Sequence, residues 1–265
     1  MSEILQKEEV FHDHWATSVN VDEVMVDEFF EACTSPENRF IIESLGDVRG
    51  KKIIELGCGL GEAAVYFAKK GAEVVATDIS SGMCALVKKV AERHGVSLLT
   101  AQAYADKMPF PDESFDIVYA ANLLHHVDIE AAIKEAKRVL KPGGKFVSWD
   151  PLAHNPVINV YRRMAMGVRT EDEHPIRMKQ LDLFRKYFGE VKYETFWFTT
   201  LFIFLKFYFI DRVDPNKERY WKKILVDHKK LEKTYLQLEK FDKFILKIFP
   251  FLKRYCWNIV IIAKK

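Results

Sequence analysis

The chain has 265 residues, 49% hydrophobic and 29% charged, with a formal net charge of +2. That length supports one large α/β core with room for an insertion, with no second independent catalytic domain expected, and the composition is that of an ordinary soluble protein and indicates neither a disordered nor a fibrous chain. The small net charge hides an asymmetry: residues 200–265 carry 16 Lys and Arg against 7 Asp and Glu, whereas residues 1–199 carry 24 against 31. The last quarter is therefore basic as well as aromatic, a combination that attracts anionic membrane interfaces or polyanions.

The start, MSEILQKEEVFHDHW, contains acids and lacks an apolar stretch of signal-peptide length. A cytoplasmic location is expected on that ground. Cys33, Cys58, Cys84 and Cys256 lie far apart with no CxxC pair, so they read as packing residues, with neither disulfides nor a metal site expected. Residues 20–45 predict two helices, the second N-capped by Ser35 with Pro36 in its first position and Glu37 in its first turn. Residues 1–48 are thus expected to form a helical lid, in which His14, Trp15 and Arg39 either close over a ligand or simply pack.

From Lys51 to Trp149, short β-rich runs alternate with helical patterns: KKIIEL, AEVVAT, VSLLTA, FDIVYAA and GKFVSWD, with helices beginning near Gly61, Gly82 and Ile129. Such alternation predicts βαβ units and a mostly parallel sheet. The third helix is expected to end at Leu140, before KPGG. Pro175 is expected to open a further helix, followed by the strand VKYETFWF and, at the chain end, CWNIVIIAKK. The expected division is a core over 49–198, a basic helical insertion over 199–254 and a final core strand over 255–265. Within the insertion, FWFTTLFIFLKFYFI is too short to span a bilayer, which takes about 20 apolar residues. The stretch from Pro215 to Pro250 places Tyr220, Ile224, Leu231, Tyr235, Leu238, Phe241 and Ile245 at helical spacing, with lysines on the other faces.

The most informative segment is IIELGCGLGEAA, a strand, a glycine turn (Gly57, Cys58, Gly59, Gly61) and a helix. Glycines permit a sharp turn and the close approach of a ligand, and the helix offers free N–H groups. A dinucleotide site would need a third glycine at position 62, which is Glu62. A carboxylate there would repel a diphosphate, so the spacing favours a phosphate-free nucleoside, S-adenosylmethionine. Asp78, at the end of the second strand and followed by Ile79, is placed to accept hydrogen bonds from both ribose hydroxyls.

Together, ELGCGLG, TDIS, MPFPDESFDIV, NLLHHV and LKPGGKF, over about residues 50–150, resemble the class I methyltransferases, specifically the type 11 group. The resemblance implies a Rossmann-like, seven-stranded, mostly parallel sheet with its last strand antiparallel. It further implies that Gly57, Gly59 and Gly61 face the methionine part, Asp78 holds the ribose and Glu55 orders the glycine loop. Met83 resembles the apolar residue on the adenine face, its alternative being a core methionine. Asn122 corresponds to the position beside the sulfonium. Family members usually carry Asp where this chain has Tyr104, which leaves Asp106 or the backbone of Ala105 to serve adenine.

Methyl transfer from a sulfonium is an in-line displacement that depends mainly on alignment, and a general base is optional. For a high-pKa acceptor the base candidates are His126, Asp150 and His154, which follow the fourth and fifth strands. His125 is read as packing or as touching the acceptor. In DPLAHNPVINVYRRM and RTEDEHP, Tyr161, Arg162 and His174 are acceptor candidates, a solvated helix being the alternative. The expected acceptor is an oxygen or nitrogen of a small, amphipathic or lipid-linked molecule, met through peripheral membrane contact of residues 199–254 by a monomer or homodimer. A nucleic-acid methyltransferase is the runner-up, disfavoured because AANLLHH carries no N/DPPY-type motif after the fourth strand. A non-catalytic cofactor-binding module is a third reading.

Overall fold

The computed structural model describes residues 3–164 and 174–265. The elements run α1 (Glu3–Ser18), α2 (Val26–Glu31), α3 (Pro36–Leu45), β1 (Lys52–Leu56), α4 (Glu62–Lys69), β2 (Glu73–Asp78), α5 (Ser81–Arg93), β3 (Leu99–Gln102), β4 (Phe115–Ala121), α6 (Ile129–Val139), β5 (Leu140–Pro151) and α7 (Pro156–Met164). After them come α8 (Leu181–Tyr187), β6 (Glu190–Phe196), α9 (Phe202–Phe209), α10 (Tyr220–Val226), α11 (His228–Ile248) and β7 (Asn258–Lys264). The seven strands form one sheet in the order β3-β2-β1-β4-β5-β7-β6. All pairs are parallel except those of β7, which runs antiparallel to β5 and β6.

The period-2 alternation of strands divides the core. Ile53, Tyr119 and Val260 face α2, α4 and α5 on one side of the sheet. Their neighbours Ile54, Val118 and Ile259 face α6 and α8 on the other. Each fully buried Ile or Val of this kind contributes about 1.5–3 kcal/mol of transfer free energy, so a slip of one residue in β1 or β4 would forfeit both layers. A third apolar cluster joins Ile158, Trp197 and the insertion residues Phe204, Phe207, Tyr220 and Tyr235.

Several local expectations are corrected. The third helix of the core, α6, stops at Val139, and KPGG is drawn into β5, where the register against β4 slips between the pairs Phe115–Leu140 and Ile117–Lys145. Gly144 fits that irregular strand because a Cβ would lie 2.9 Å from the Lys141 carbonyl and 3.0 Å from that of Asp116. VSLLTA is a strand only from Leu99. Pro175 opens no helix: Ile176 bridges Leu152, and α8 begins at Leu181 behind a 3-10 turn. Ser35 precedes α3 as expected, but its hydroxyl bonds the Phe29 carbonyl at 2.5 Å instead of capping the helix. The amphipathic reading of α11 holds through Tyr235 and fails at Phe241, which is 49% exposed while Asp242 is buried.

Candidate active site

β1 ends with Glu55 buried, and the chain turns through Gly57 at φ 65°, Gly59 at φ 49° and Gly61 at φ 86° into α4. At Gly57 a Cβ would lie 2.8 Å from Leu123 and at Gly61 2.8 Å from Val87, whereas at Gly59 nothing stands within 4 Å. The turn is thus pressed against the protein at both ends and open at its middle. Cys58 is pinned below it, its N–H donating to the Thr77 carbonyl at 2.9 Å. Asp78, 6% exposed at the end of β2, accepts from Gly59 N at 3.0 Å and from Ser80 N at 2.9 Å, tying the turn to the start of α5. Burial raises its pKa, and these N–H bonds hold the carboxylate down against that shift. Two of about four acceptor positions on the carboxylate are used, which leaves it able to receive hydroxyl donors.

Around this frame, Ile79 is half-buried with its carbonyl held by Gln102 at 2.8 Å. Met83 is fully buried within the sheet-and-helix core. Ala105 is half-buried and Asp106 exposed on the turn that Tyr104 and Lys107 close. Asn122 is exposed at φ 51°, its N–H bonded to the Trp149 carbonyl at 2.8 Å.

Beyond β4 the two histidines part company. His125 is buried and its Nδ1 lies 2.8 Å from Oδ1 of Asp150, itself 1% exposed on β5. At that depth, bonded to His125, Asp150 is a positioning group, and burial pushes its pKa up to about 8. His126 lies against His125 with ring centroids 4.1 Å apart and planes tilted by 42°, and burial first, then His125, drives its pKa down to about 3. Glu8 on α1 is the countercharge, 3.9 Å from Nδ1 of His126 and 3.4 Å from Nε2 of His12.

Glu8, His12 and Asp13 are absent from the sequence-based candidates. Asp13 accepts from Ser80 Oγ at 2.5 Å and Gly82 N at 2.9 Å, fastening α1 across the start of α5, where a Cβ on Gly82 would meet Asp13 Oδ1 at 3.0 Å. The signal was the spacing of Glu8, His12 and Trp15, which share a helical face. Trp15 reaches the edge of the core beneath the Arg219 guanidinium, 4.7 Å from its ring. Behind it, α3 is held by a chain from Trp149 Nε1 to the Tyr119 hydroxyl at 3.1 Å and on to Asn38 at 3.3 Å.

Other candidates lie apart from the turn. His14 and His154 are exposed, the latter between β5 and α7. Arg39 donates to the Cys33 carbonyl at 2.8 Å and Glu239 at 2.7 Å, joining lid to insertion. Tyr161 packs on Phe204 and Tyr220 at 5.4 and 5.0 Å, and Arg162 donates to Asn159 at 3.0 Å. His174 is exposed, its N–H bonded to the His125 carbonyl at 2.8 Å. The rest of the expected acceptor segment, residues 165–173, lies outside the described residues. A cavity of about 630 Å³ bounded by Met164, Tyr208, Phe209 and Arg212 includes none of the glycine-turn residues. All four cysteines are free, and no metal-binding cluster occurs among the described residues.

The residues fit a sulfonium nucleoside. Gly59 leaves an open cradle, and Glu55 keeps a buried Oε2 with no partner, its pKa raised well above the carboxylate range by burial and then by Glu62. A cationic amino group is what such a carboxyl lacks.

Strand order and the glycine turn after β1 define a class I, Rossmann-like methyltransferase fold. Residues 54–148 match the family described as "Methyltransferase domain", so this part of the chain is a methyltransferase domain of the type 11 kind, whose cofactor is S-adenosylmethionine. It is 32% identical to a sterol 24-C-methyltransferase of Aspergillus fumigatus over 60% of this chain and 44% of that protein. It is 36% identical to a ubiquinone/menaquinone biosynthesis C-methyltransferase of Laribacter hongkongensis over 48% of this chain and 55% of that one. The alignments thus span about half the length of these curated relatives. Among solved structures, a phosphoethanolamine N-methyltransferase of Haemonchus contortus in complex with S-adenosyl-L-methionine shares the fold with a TM-score of 0.58 at 19% identity, over 96% of this chain and 56% of that one. The YcgJ protein of Bacillus subtilis shares it with a TM-score of 0.54 at 20% identity, over 86% and 97% of the two chains.

Proposed function

We propose that the protein is an enzyme that methylates a carbon atom of a small, largely apolar acceptor and meets that acceptor at a membrane surface. The single observation that carries the methyl-transfer reading is the glycine turn locked to Asp78 with the unpartnered Oε2 of Glu55 below it. For the acceptor atom, relatives named as sterol and quinone C-methyltransferases support carbon over the oxygen or nitrogen expected from sequence. The half-buried aromatic residues Phe29, packed on Trp149, and Trp15, at the edge of the same core, suit an apolar ring or chain better than a charged one.

The bound cofactor supplies an electrophilic methyl group. The protein's own residues align and remove a proton. A carbon acceptor loses one proton as its new C–C bond forms; His126 is the neutral base at hand, and because burial lowers its pKa it suits a C–H made strongly acidic by the methylation itself. Glu8 then offsets the charge that the imidazole gains, while Asp150 fixes His125, against which His126 packs. The test is transfer of labelled methyl from S-adenosylmethionine to a cell extract, split into lipid, aqueous and macromolecular fractions. Label in the lipid fraction, assigned to a C-methyl group by NMR, is the expected result. Label confined to macromolecules or to N- or O-methyl signals would refute the acceptor reading.

A further inference from the structure

The insertion is two surfaces in one. Phe204, Phe207, Tyr220, Ile224 and Tyr235 are at most 3% exposed and build the third apolar cluster. Toward the end of α11 the pattern inverts: Phe241 is 49% exposed, Phe244 61% and Ile248 50%, and the turn that follows adds Phe249 at 44% and Phe251 at 65%. At about 100° per residue, Phe241, Phe244 and Ile248 fall within roughly 60° of one another, and about 130° from the buried Asp242. Lys240 and Lys247 occupy the adjoining flank and Arg254 follows on the turn. These three are exposed and have no ion-pair partner among the described residues, in contrast to Lys243 and Lys253, which pair with Glu239 and Glu194.

We infer that this face, the C-terminal half of α11 with the Pro250–Tyr255 turn, docks on an anionic lipid bilayer, its aromatic and aliphatic side chains entering the interface and Lys240, Lys247 and Arg254 meeting the headgroups. Large apolar side chains clustered on an exposed face are uncommon on a soluble surface without a partner. No described helix is long and apolar enough to cross a membrane, so the face lies on the bilayer and does not span it. Charge selects the occupant: a second copy seated here isologously would bring the same lysines against each other, whereas anionic headgroups neutralise them. The inference deepens the proposed function by naming the surface that meets the membrane. It rests on that reading for its purpose only, because vesicle binding and label transfer are separate measurements and fail separately.

The experiment is flotation of the full chain with vesicles of phosphatidylcholine alone and of an equimolar mixture with phosphatidylglycerol, at low ionic strength and in about 0.5 M salt. Binding to the mixed vesicles that weakens in salt is expected. K240A/K247A/R254A should lower partition about a hundredfold, at roughly fivefold per charge, and F244D/I248D should abolish it, each variant retaining S-adenosylmethionine binding by calorimetry. Should the aspartate variant lose cofactor binding, F244W reports instead, its emission shifting to the blue on addition of mixed vesicles. Absence of wild-type binding at low salt, wild-type partition of a folded F244D/I248D, or an F244W spectrum unmoved by vesicles would each overturn the inference. So would a solution dimer dispersed by F244D/I248D, which assigns the face to a second copy.

Discussion

Asp78 closes the glycine turn through Gly59 and Ser80 with one carboxylate, and in the proposed function the same carboxylate receives the hydroxyls of the nucleoside sugar. Asp78→Ala should therefore raise the S-adenosylmethionine Kd by about a hundredfold or more, read by calorimetry, and cost about 1–3 kcal/mol in stability because two backbone N–H groups lose their acceptor. Glu8→Gln should lower kcat about tenfold to a hundredfold with little change in cofactor affinity, and an unchanged kcat would remove Glu8 from proton transfer. Glu37 gives a pH test. It is 4% exposed, Asn258 donates to it at 2.5 Å, and burial pushes it up to about 7 from 4.5. The folded state then binds more protons than the unfolded one between those values, so stability falls as pH rises through the window. Glu37→Gln should match wild type near pH 4.5 and gain up to about 3 kcal/mol above pH 7, measured as urea midpoints. At this scale the glycines and Asp78 were legible because their chemistry is encoded in a few adjacent residues. The His125–Asp150 bond and the approach of Glu8 to His126 were not, since each needs a distant element brought into place.

Elements whose faces follow one period were readable, and the failures occur where a tertiary partner changed the face. KPGG has the composition of a helix stop, yet its carbonyls and N–H groups pair with β7's end through Gly143, Gly144 and Lys265, so it became strand. In α11 the apolar spacing continues past Tyr235, but the helix rotates its inner face onto Asp242. That carboxylate accepts from Phe198 N at 3.1 Å, Thr199 N at 2.7 Å, Thr200 N at 3.2 Å and Thr200 Oγ1 at 2.9 Å, and also bonds the Thr199 hydroxyl. A buried acid with this many donors wins over hydrophobic period, because leaving those N–H groups unpaired costs more than exposing one phenylalanine. Asp242→Ala should cost about 3–5 kcal/mol, seen as a lower urea midpoint, and a change below about 1 kcal/mol would show that the 199–201 turn finds other acceptors.

Across the whole molecule, the N-terminal helices and the insertion, far apart in the chain, clasp each other beside the carboxyl ends of the central strands. Thr34 Oγ1 donates to the Ile224 carbonyl at 3.2 Å, Arg39 pairs with Glu239 at 2.7 Å, and Arg219 covers Trp15. The mostly parallel sheet and its antiparallel end were legible from strand–helix alternation and family resemblance, but this clasp was not, because basic and aromatic composition specifies surface chemistry without naming a partner segment. The N-terminal helices are unequal in it. α2 and α3 sink Val26, Phe30 and Ile41 to at most 1% exposure, whereas the apolar groups that α1 packs on the core, such as Trp15 and Ala16, are only partly buried, and Asp13 fastens it to the start of α5. Removal of residues 1–18 should therefore leave a folded chain with a cooperative melt, since neither layer of the sheet loses a fully buried side chain. It should nonetheless raise the S-adenosylmethionine Kd at least tenfold and nearly abolish turnover, because the cover over Ser80 and Gly82 and the Glu8 countercharge leave together. A truncated chain that melts without cooperativity would make α1 part of the core. One that turns over normally would place the catalytic groups entirely on the strands.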